Sequence, residues 1–201
     1  MITNFSTSSI RTGVKRKRFW DQNAVANSFF SIATVTLTGS QSNIEFTNIP
    51  QNYTHLQLRG LVRVQSAGGV DIDNLKIQFN SDTGTNYSRH GLRGDGSSAI
   101  SYAGVSATFI STFALRSAAL ANNFSSAIID ILDYRDTNKY KTVRAISGAD
   151  NNGTGTYPGY AGLVSGNWRS TSAITSIKLT TDADGTNLLT GSTFALYGVL
   201  A

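Results

Sequence analysis

The sequence contains no cysteine and only one glutamate, Glu45, among its 201 residues. Without cysteine the chain can form no disulfide, no thiolate metal site and no thiol nucleophile. Charged residues make up only 14% of the chain, so the glutamate and lysine that long helices need in bulk are missing. No apolar run approaches the roughly 18 residues of a membrane helix, and the start lacks the apolar stretch of a secretory signal. We therefore expect a soluble, non-exported protein whose core is held by burial alone.

Small polar residues are what the chain has in quantity. Serine, threonine, asparagine and glycine together supply 82 of the 201 residues, while hydrophobic residues supply 40%. This mixture favours strands joined by many polar turns over helices. The length and the apolar content are sufficient for one packed domain.

The net charge is confined to a short segment near the N-terminus. The first 20 residues hold five of the 17 basic residues and no acid, and the remaining 12 bases match the 12 acids, so the formal charge of +5 lies there. We divide the chain into a basic N-terminal arm, residues 1–28, and a single β domain, residues 29–201. The arm could be a solvated tail, but we predict that it binds an acidic protein surface, with nucleic acid as the less favoured partner. The predicted partner-binding residues are Arg11, Lys15, Arg16, Lys17, Arg18, Phe19 and Trp20.

Hydrophobic residues alternate with polar ones along most of the chain after residue 29. The clearest run is 54–65, where Leu56, Leu58 and Val62 face one side of a predicted strand. About ten such runs, separated by turn residues, predict an all-β, antiparallel, jelly-roll-like sandwich. One short helix is predicted at 115–123. The predicted strands are 30–38, 43–49, 54–65, 74–79, 107–115, 125–133, 139–146, 160–168, 173–180 and 192–200.

Two surfaces are candidates for binding. The polar side of the 54–65 strand carries an unexpected leucine, Leu61, so we predict that a neighbouring subunit covers this side. Aromatic residues beside a glycine-rich stretch predict a contact with glycan or protein. The predicted subunit interface comprises His55, Arg59, Leu61 and Arg63, and the predicted contact patch comprises Tyr157, Tyr160, Trp168 and Arg169.

No arrangement of residues predicts catalysis, a metal or a cofactor. The only histidines, His55 and His90, stand in no recognised catalytic motif. The turns at 82–86 and 182–187 carry oxygen ligands, but they do not fit a calcium loop and are explained by Asx turns. Asp130 and Asp133 are the acids to examine, because a glycosidase pair is defined by its separation in space. We expect a non-enzymatic protein.

Four segments carry a resemblance to a known class of proteins. They are residues 44–60 (IEFTNIPQNYTHLQLRG), 79–87 (FNSDTGTNY), 129–143 (IDILDYRDTNKYKTV) and 194–198 (FALYG). Together they resemble small virion structural proteins of tailed bacteriophages, over about residues 30–198. The resemblance implies a location in the virion, following assembly in the host cytoplasm, and it supplies no catalytic residues. The basic arm lies outside it.

The resemblance leaves two roles open. The first is a capsid decoration, or cement, protein that binds the major capsid protein through its arm and forms a homotrimer. The second is a tail-fibre or baseplate module that contacts host surface glycan. The sequence shows no heptad or stalk repeat of the kind that receptor-binding fibres carry, which favours the first role. Neither role needs a membrane, and nucleic acid is not the expected partner.

Overall fold

The computed structural model describes residues 28–66, 68, 71–153, 159–182 and 186–200. These residues form strands and turns and contain no helix. The strands are β1 (Phe29–Thr36), β2 (Asn43–Phe46), β3 (His55–Val64), β4 (Ile72–Phe79), β5 (Tyr87–Gly94), β6 (Ala99–Ala107), β7 (Ile110–Arg116), β8 (Ser125–Leu132), β9 (Lys141–Asp150), β10 (Gly159–Trp168), β11 (Ile177–Thr181) and β12 (Thr193–Val199).

The strands form one mixed, open sheet with two parts. The large part, here called the large sheet, is antiparallel and runs in the order β1-β12-β3-β8-β9-β10-β5-β6. The small part runs β2-β11-β4-β7 and joins the large sheet where the end of β3 pairs in parallel with β7. The all-β class predicted from alternation is confirmed.

The small part packs across one face of the large sheet, which we call the inner face. Two glycines of β10 make this close approach feasible, because a Cβ at Gly162 would lie 2.6 Å from the Phe113 ring and one at Gly166 would lie 2.7 Å from Ile110. Between them, Thr112 Oγ1 donates a hydrogen bond to Ser147 Oγ of β9 at 2.9 Å. The main hydrophobic core fills the space between the small part and the inner face. The opposite face of the large sheet, which we call the outer face, has no covering layer among the described residues.

Each of the ten predicted runs overlaps a strand of the structure, although the ends of most strands differ from the predicted ones. The last run is paired on both sides, because β12 lies between β1 and β3. The predicted helix at 115–123 is wrong: β7 continues to Arg116, and turns follow. In these turns the Arg63 guanidinium donates hydrogen bonds to the carbonyls of Ser117 and Ala119, so these carbonyls are not used for helical hydrogen bonds.

Two strands, β5 and β6, were not predicted. The glycines at 91 and 94 and the polar residues around them have the composition of a turn. In the structure they form a hairpin at the edge of the large sheet, with the turn confined to 95–98. Gly91 is required because the Tyr102 ring of β6 occupies the space in which a side chain would stand, 2.3 Å from the position of a Cβ. Gly91 is therefore a residue within a strand that packs against an aromatic ring, and it does not mark a turn.

Candidate functional site

The outer face of the large sheet carries a row of exposed aliphatic side chains. Alternation turns one residue in two outward on each strand, and the register aligns these residues across the sheet. Ile128 of β8 pairs with Ile146 of β9, Ile146 with Leu163 of β10, and Leu163 with Leu92 of β5. Each of the four is between 43% and 57% exposed. We call these residues the aliphatic row.

A row of small side chains lies directly beside the aliphatic row, two residues along the same strands. Ser126 pairs with Gly148, Gly148 with Ala161, and Ala161 with Gly94. We call these four residues the small row. Where the two rows meet β6, they line a shallow depression of about 530 Å³ that also includes Ile100. The outer face is therefore a ridge of aliphatic side chains next to a low strip.

Polar side chains flank the aliphatic row on its other side. Gln57 Nε2 donates to Asp130 Oδ1 at 2.8 Å, and Arg144 donates to Asp130 Oδ2 at 2.9 Å. Burial alone would raise the pKa of Asp130, but these two hydrogen bonds and the charges of Arg144 and Arg59 hold that pKa below its usual value. Farther along the same row, His90 of β5 is exposed opposite Ser165. The row is polar, and its strongest charges are paired.

Three of the four residues of the predicted subunit interface lie on this outer face. Leu61 is exposed beside Ser126. The Arg59 guanidinium lies over the rings of Phe29 and Tyr197, 5.8 and 5.4 Å from their centroids. His55 Nδ1 accepts a hydrogen bond from the backbone N–H of Asp133 at 3.0 Å and lies 3.5 Å from the Asp133 carboxylate. Whether a neighbouring subunit covers these residues stays a prediction.

The fourth interface residue, Arg63, is not on the surface. Its side chain is turned inward at the parallel junction with β7 and the residue is only 9% exposed. Its guanidinium donates to the carbonyls of Ser117 and Ala119 at 3.1 and 2.9 Å, and burial lowers its pKa. The alternation of β3 ends here because Val62, Arg63 and Val64 are all buried. The prediction for Arg63 was therefore wrong.

The predicted contact patch is not assembled as a surface. Tyr160 and Trp168 belong to the core, 6% and 2% exposed, so neither offers a ring to a sugar or a partner. The Trp168 indole stacks with Tyr87 and donates its N–H to Asp82 at 2.7 Å. Arg169 is exposed and donates to the carbonyl of Thr85. Tyr157 lies outside the described residues.

The turn at 82–86 is an Asx turn, as predicted. Asp82 Oδ1 accepts from the Gly84 amide, and the same carboxylate accepts from Asn86 and Trp168. Burial would raise the pKa of Asp82, but these hydrogen bonds lower it. In the segment 182–187, residues 183–185 lie outside the described residues, so the Asx turn there stays a prediction, and the Asp182 carboxylate accepts from Asn74 and pairs with Lys76. In the part of the chain that the structure describes, no cluster of His, Asp and Glu side chains is suited to a metal ion.

The acids near the end of β8 are held by cations. Lys139 Nζ lies 2.9 Å from Asp133 and 3.4 Å from Asp136, and a backbone hydrogen bond from Asn138 lowers the pKa of Asp136. A glycosidase pair needs one carboxyl group whose pKa is raised, so that it carries a proton at neutral pH. The structure instead lowers the pKa of five carboxyl groups: Asp82, Asp95, Asp130, Asp136 and Asp182.

The predicted partner-binding residues Arg11, Lys15, Arg16, Lys17, Arg18, Phe19 and Trp20 lie outside the described residues. Among residues 28–200, apart from the gaps given above, no helix is long and apolar enough to cross a membrane. Comparison with protein-family models, with curated proteins and with solved structures finds no match. The interpretation of function therefore depends on the residues themselves.

Sequence reasoning missed the aliphatic row, although a signal was present. In the runs 125–133, 139–146 and 160–168, apolar residues occur at both odd and even positions, so both faces of those strands carry them. A strand with one solvated face normally has polar residues on that face. Ile128, Ile146 and Leu163 were therefore the residues to select.

Proposed function

We propose that this chain is a non-enzymatic structural protein of a bacteriophage virion, a capsid decoration protein that attaches to the particle through its basic N-terminal arm. The proposal includes the jelly-roll-like sandwich arrangement predicted for the β domain and the major capsid protein as the binding partner. It places the protein in the virion after assembly in the host cytoplasm.

The observation that carries the proposal is the nature of the outer face. It is a broad sheet surface with exposed aliphatic residues and paired charges, in place of a cleft with converging reactive groups. Contiguous exposed apolar surface of this kind marks protein–protein contact, and a structural protein of an assembly needs such contacts. The neutral body and the basic arm add a separate attachment element.

The carboxylates support a structural role over an enzymatic one. Asp130 is bound by Gln57 and Arg144, and Asp133 lies against Lys139. Acid catalysis by Asp130 would require a proton that the hydrogen bonds and charge around its carboxylate disfavour, since they lower its pKa. The alternative role, a tail-fibre or baseplate module that contacts host glycan, has lost two of its proposed contact residues, since Tyr160 and Trp168 are buried. The decoration role is the one that we favour.

The test is to remove the arm and follow incorporation into particles. We expect a chain lacking residues 1–20 to fold as a β protein and to be missing from purified particles, because the contact with an acidic capsid surface is lost. A chain with the substitutions Lys15→Ser, Arg16→Ser, Lys17→Ser and Arg18→Ser should be lost from particles to the same extent if charge carries the contact. A chain with Phe19→Ala and Trp20→Ala measures how much the two aromatic side chains contribute to the contact.

Labelled particles imaged by electron microscopy would place the protein on the head or on the tail. Incorporation of the arm-deleted chain at its normal copy number would contradict attachment through the arm. A label confined to the tail would contradict the decoration role. Salt-dependent binding of DNA by the full chain would identify nucleic acid as the partner of the arm instead.

A further inference from the structure

The aliphatic row and the small row occupy the same four strands, and this correspondence specifies a binding partner. Strands β8, β9, β10 and β5 each present one large outward residue and, two positions along, one small outward residue. The large residues are Ile128, Ile146, Leu163 and Leu92, and the small residues are Ser126, Gly148, Ala161 and Gly94. The face is thus a ridge and a low strip that lie side by side and run in parallel.

From this geometry we infer that the outer face binds the same face of a second copy of this chain, around a two-fold axis that lies between the two rows. This two-fold pair differs from the homotrimer that the resemblance implies. A rotation of 180° about an axis parallel to the rows, in the plane of contact, places each ridge on the low strip of the other copy. Ile146 then lies over Gly148 of the other copy, and Leu163 lies over Ala161. Such a surface is self-complementary, as a two-fold contact between identical chains requires.

The size of the contact sets its expected strength. The large sheet places β3, β8, β9, β10, β5 and β6 side by side, about 4.8 Å apart, and the aliphatic and small rows that face each other across the axis are about 6.8 Å apart, which gives roughly 390 Å² on each copy. Stable interfaces bury about 800 Å² on each partner, so we expect a weak pairing that depends on concentration. Two twisted sheets pack face to face with their strands nearly aligned, about 10 Å apart, and the antiparallel strands here are compatible with that arrangement.

The charges on the face favour a second copy as well. Asp130 is paired with Arg144 within each copy, so the polar row needs no partner of opposite charge. The 12 acids and 12 bases beyond residue 20 balance, so the bodies of two copies do not repel each other. The basic arms carry like charge, but physiological salt screens charges beyond about 8 Å.

Sedimentation of the full chain at physiological salt, over a series of concentrations up to about several hundred micromolar, tests the inference. We expect the mass to rise with concentration toward twice the chain mass of 21.5 kDa and not beyond it. Leu163→Glu and Ala161→Glu should each weaken association by more than about tenfold, because each buries an unpaired charge. The effect of Ala161→Glu is the sharper test, since alanine itself contributes little apolar surface and matters only if a neighbouring ridge lies on it.

A matched control is available at Leu120, which is 45% exposed in the turn after β7, outside the strands that form the outer face. Leu120→Glu should leave association unchanged. Circular dichroism should show that all three variants keep the β fold of the parent chain. A monomeric or trimeric full chain, or pairing that survives both Leu163→Glu and Ala161→Glu, would overturn the inference.

The absence of cysteine allows a second, independent measurement. A single cysteine introduced by Leu163→Cys should link two copies through a short bis-maleimide reagent, whereas Leu120→Cys should not. Equal linking of the two variants would contradict the proposed contact. The inference deepens the proposed structural role but can fail separately from it. Pairing of a chain that is missing from purified particles would refute the virion role alone, and arm-dependent incorporation of a monomer would refute the pairing alone.

Discussion

The two faces of the large sheet are built from the same strands but have different surroundings. On β8, Ile129 points to the inner face and is fully buried, while its neighbour Ile128 points to the outer face and is almost half exposed. On β10, Val164 and Leu163 differ in the same way. The comparison teaches that an apolar residue in a strand does not reveal by itself whether it stabilises the fold or is available to a partner. The covering layer decides that.

The largest expected difference between the faces comes from truncating the two isoleucines of β8. Ile129→Ala should lower the free energy of unfolding by about 2–5 kcal/mol, because it leaves a cavity in the packed core. Ile128→Ala should lower it by less than about 1 kcal/mol, because the side chain already contacts water. Both should be measured by urea unfolding in the Leu163→Glu background, where pairing between copies does not contribute. Equal losses would show that the outer face is also packed within one chain.

The two arginines of β3 give a smaller contrast. Arg63→Ala should lower the free energy of unfolding by about 1–3 kcal/mol, because the carbonyls of Ser117 and Ala119 lose their buried donor. Arg59→Ala removes an exposed contact with the rings of Phe29 and Tyr197 and should lower the free energy of unfolding by about 0.5–1 kcal/mol. Thermal unfolding of both variants measures the difference. A harmless Arg63→Ala would mean that water replaces the guanidinium at these carbonyls.

The smallest effect concerns the pH dependence of the outer polar row. The pKa of Asp130 is lower in the folded chain than in the unfolded one, so its ionised form stabilises the fold above the unfolded pKa of about 3.9. This contribution is lost as the pH falls through the folded pKa. Asp130→Asn should therefore reduce stability by about 0.2–1 kcal/mol at neutral pH.

Thermal unfolding of both proteins from pH 7 down to pH values below about 4 checks this expectation, since the difference between them should shrink over that acidic range. Arg144→Gln should reproduce the loss at neutral pH, because it removes one of the groups that bind the Asp130 carboxylate. A difference between Asp130→Asn and the parent chain that is constant with pH would assign the effect to hydrogen bonding alone.

Much of the strand pattern could be predicted because alternation is a local property. The run 54–65 was predicted as β3 with its buried and exposed sides assigned correctly as far as Val62. The edge hairpin of β5 and β6 was missed because its glycines resemble a turn, whereas Gly91 is fixed by a ring from the neighbouring strand. The roles of Tyr160 and Trp168 were also missed, since aromatic residues near glycine occur both on surfaces and in cores.

The sequence by itself determined the β class, the approximate positions of most strands, the absence of thiol chemistry and the separation of a basic segment from a neutral body. Composition, hydrophobic periodicity and charge are properties of neighbouring residues, so they can be recognised without knowing any contact between distant parts of the chain. Only the tertiary structure decided which side of each strand is covered, that Arg63 is turned inward, and that Ile128, Ile146, Leu163 and Leu92 form one row. The physical reason is that register and layer packing join residues far apart in the chain, and an exposed surface is defined by what does not pack against it.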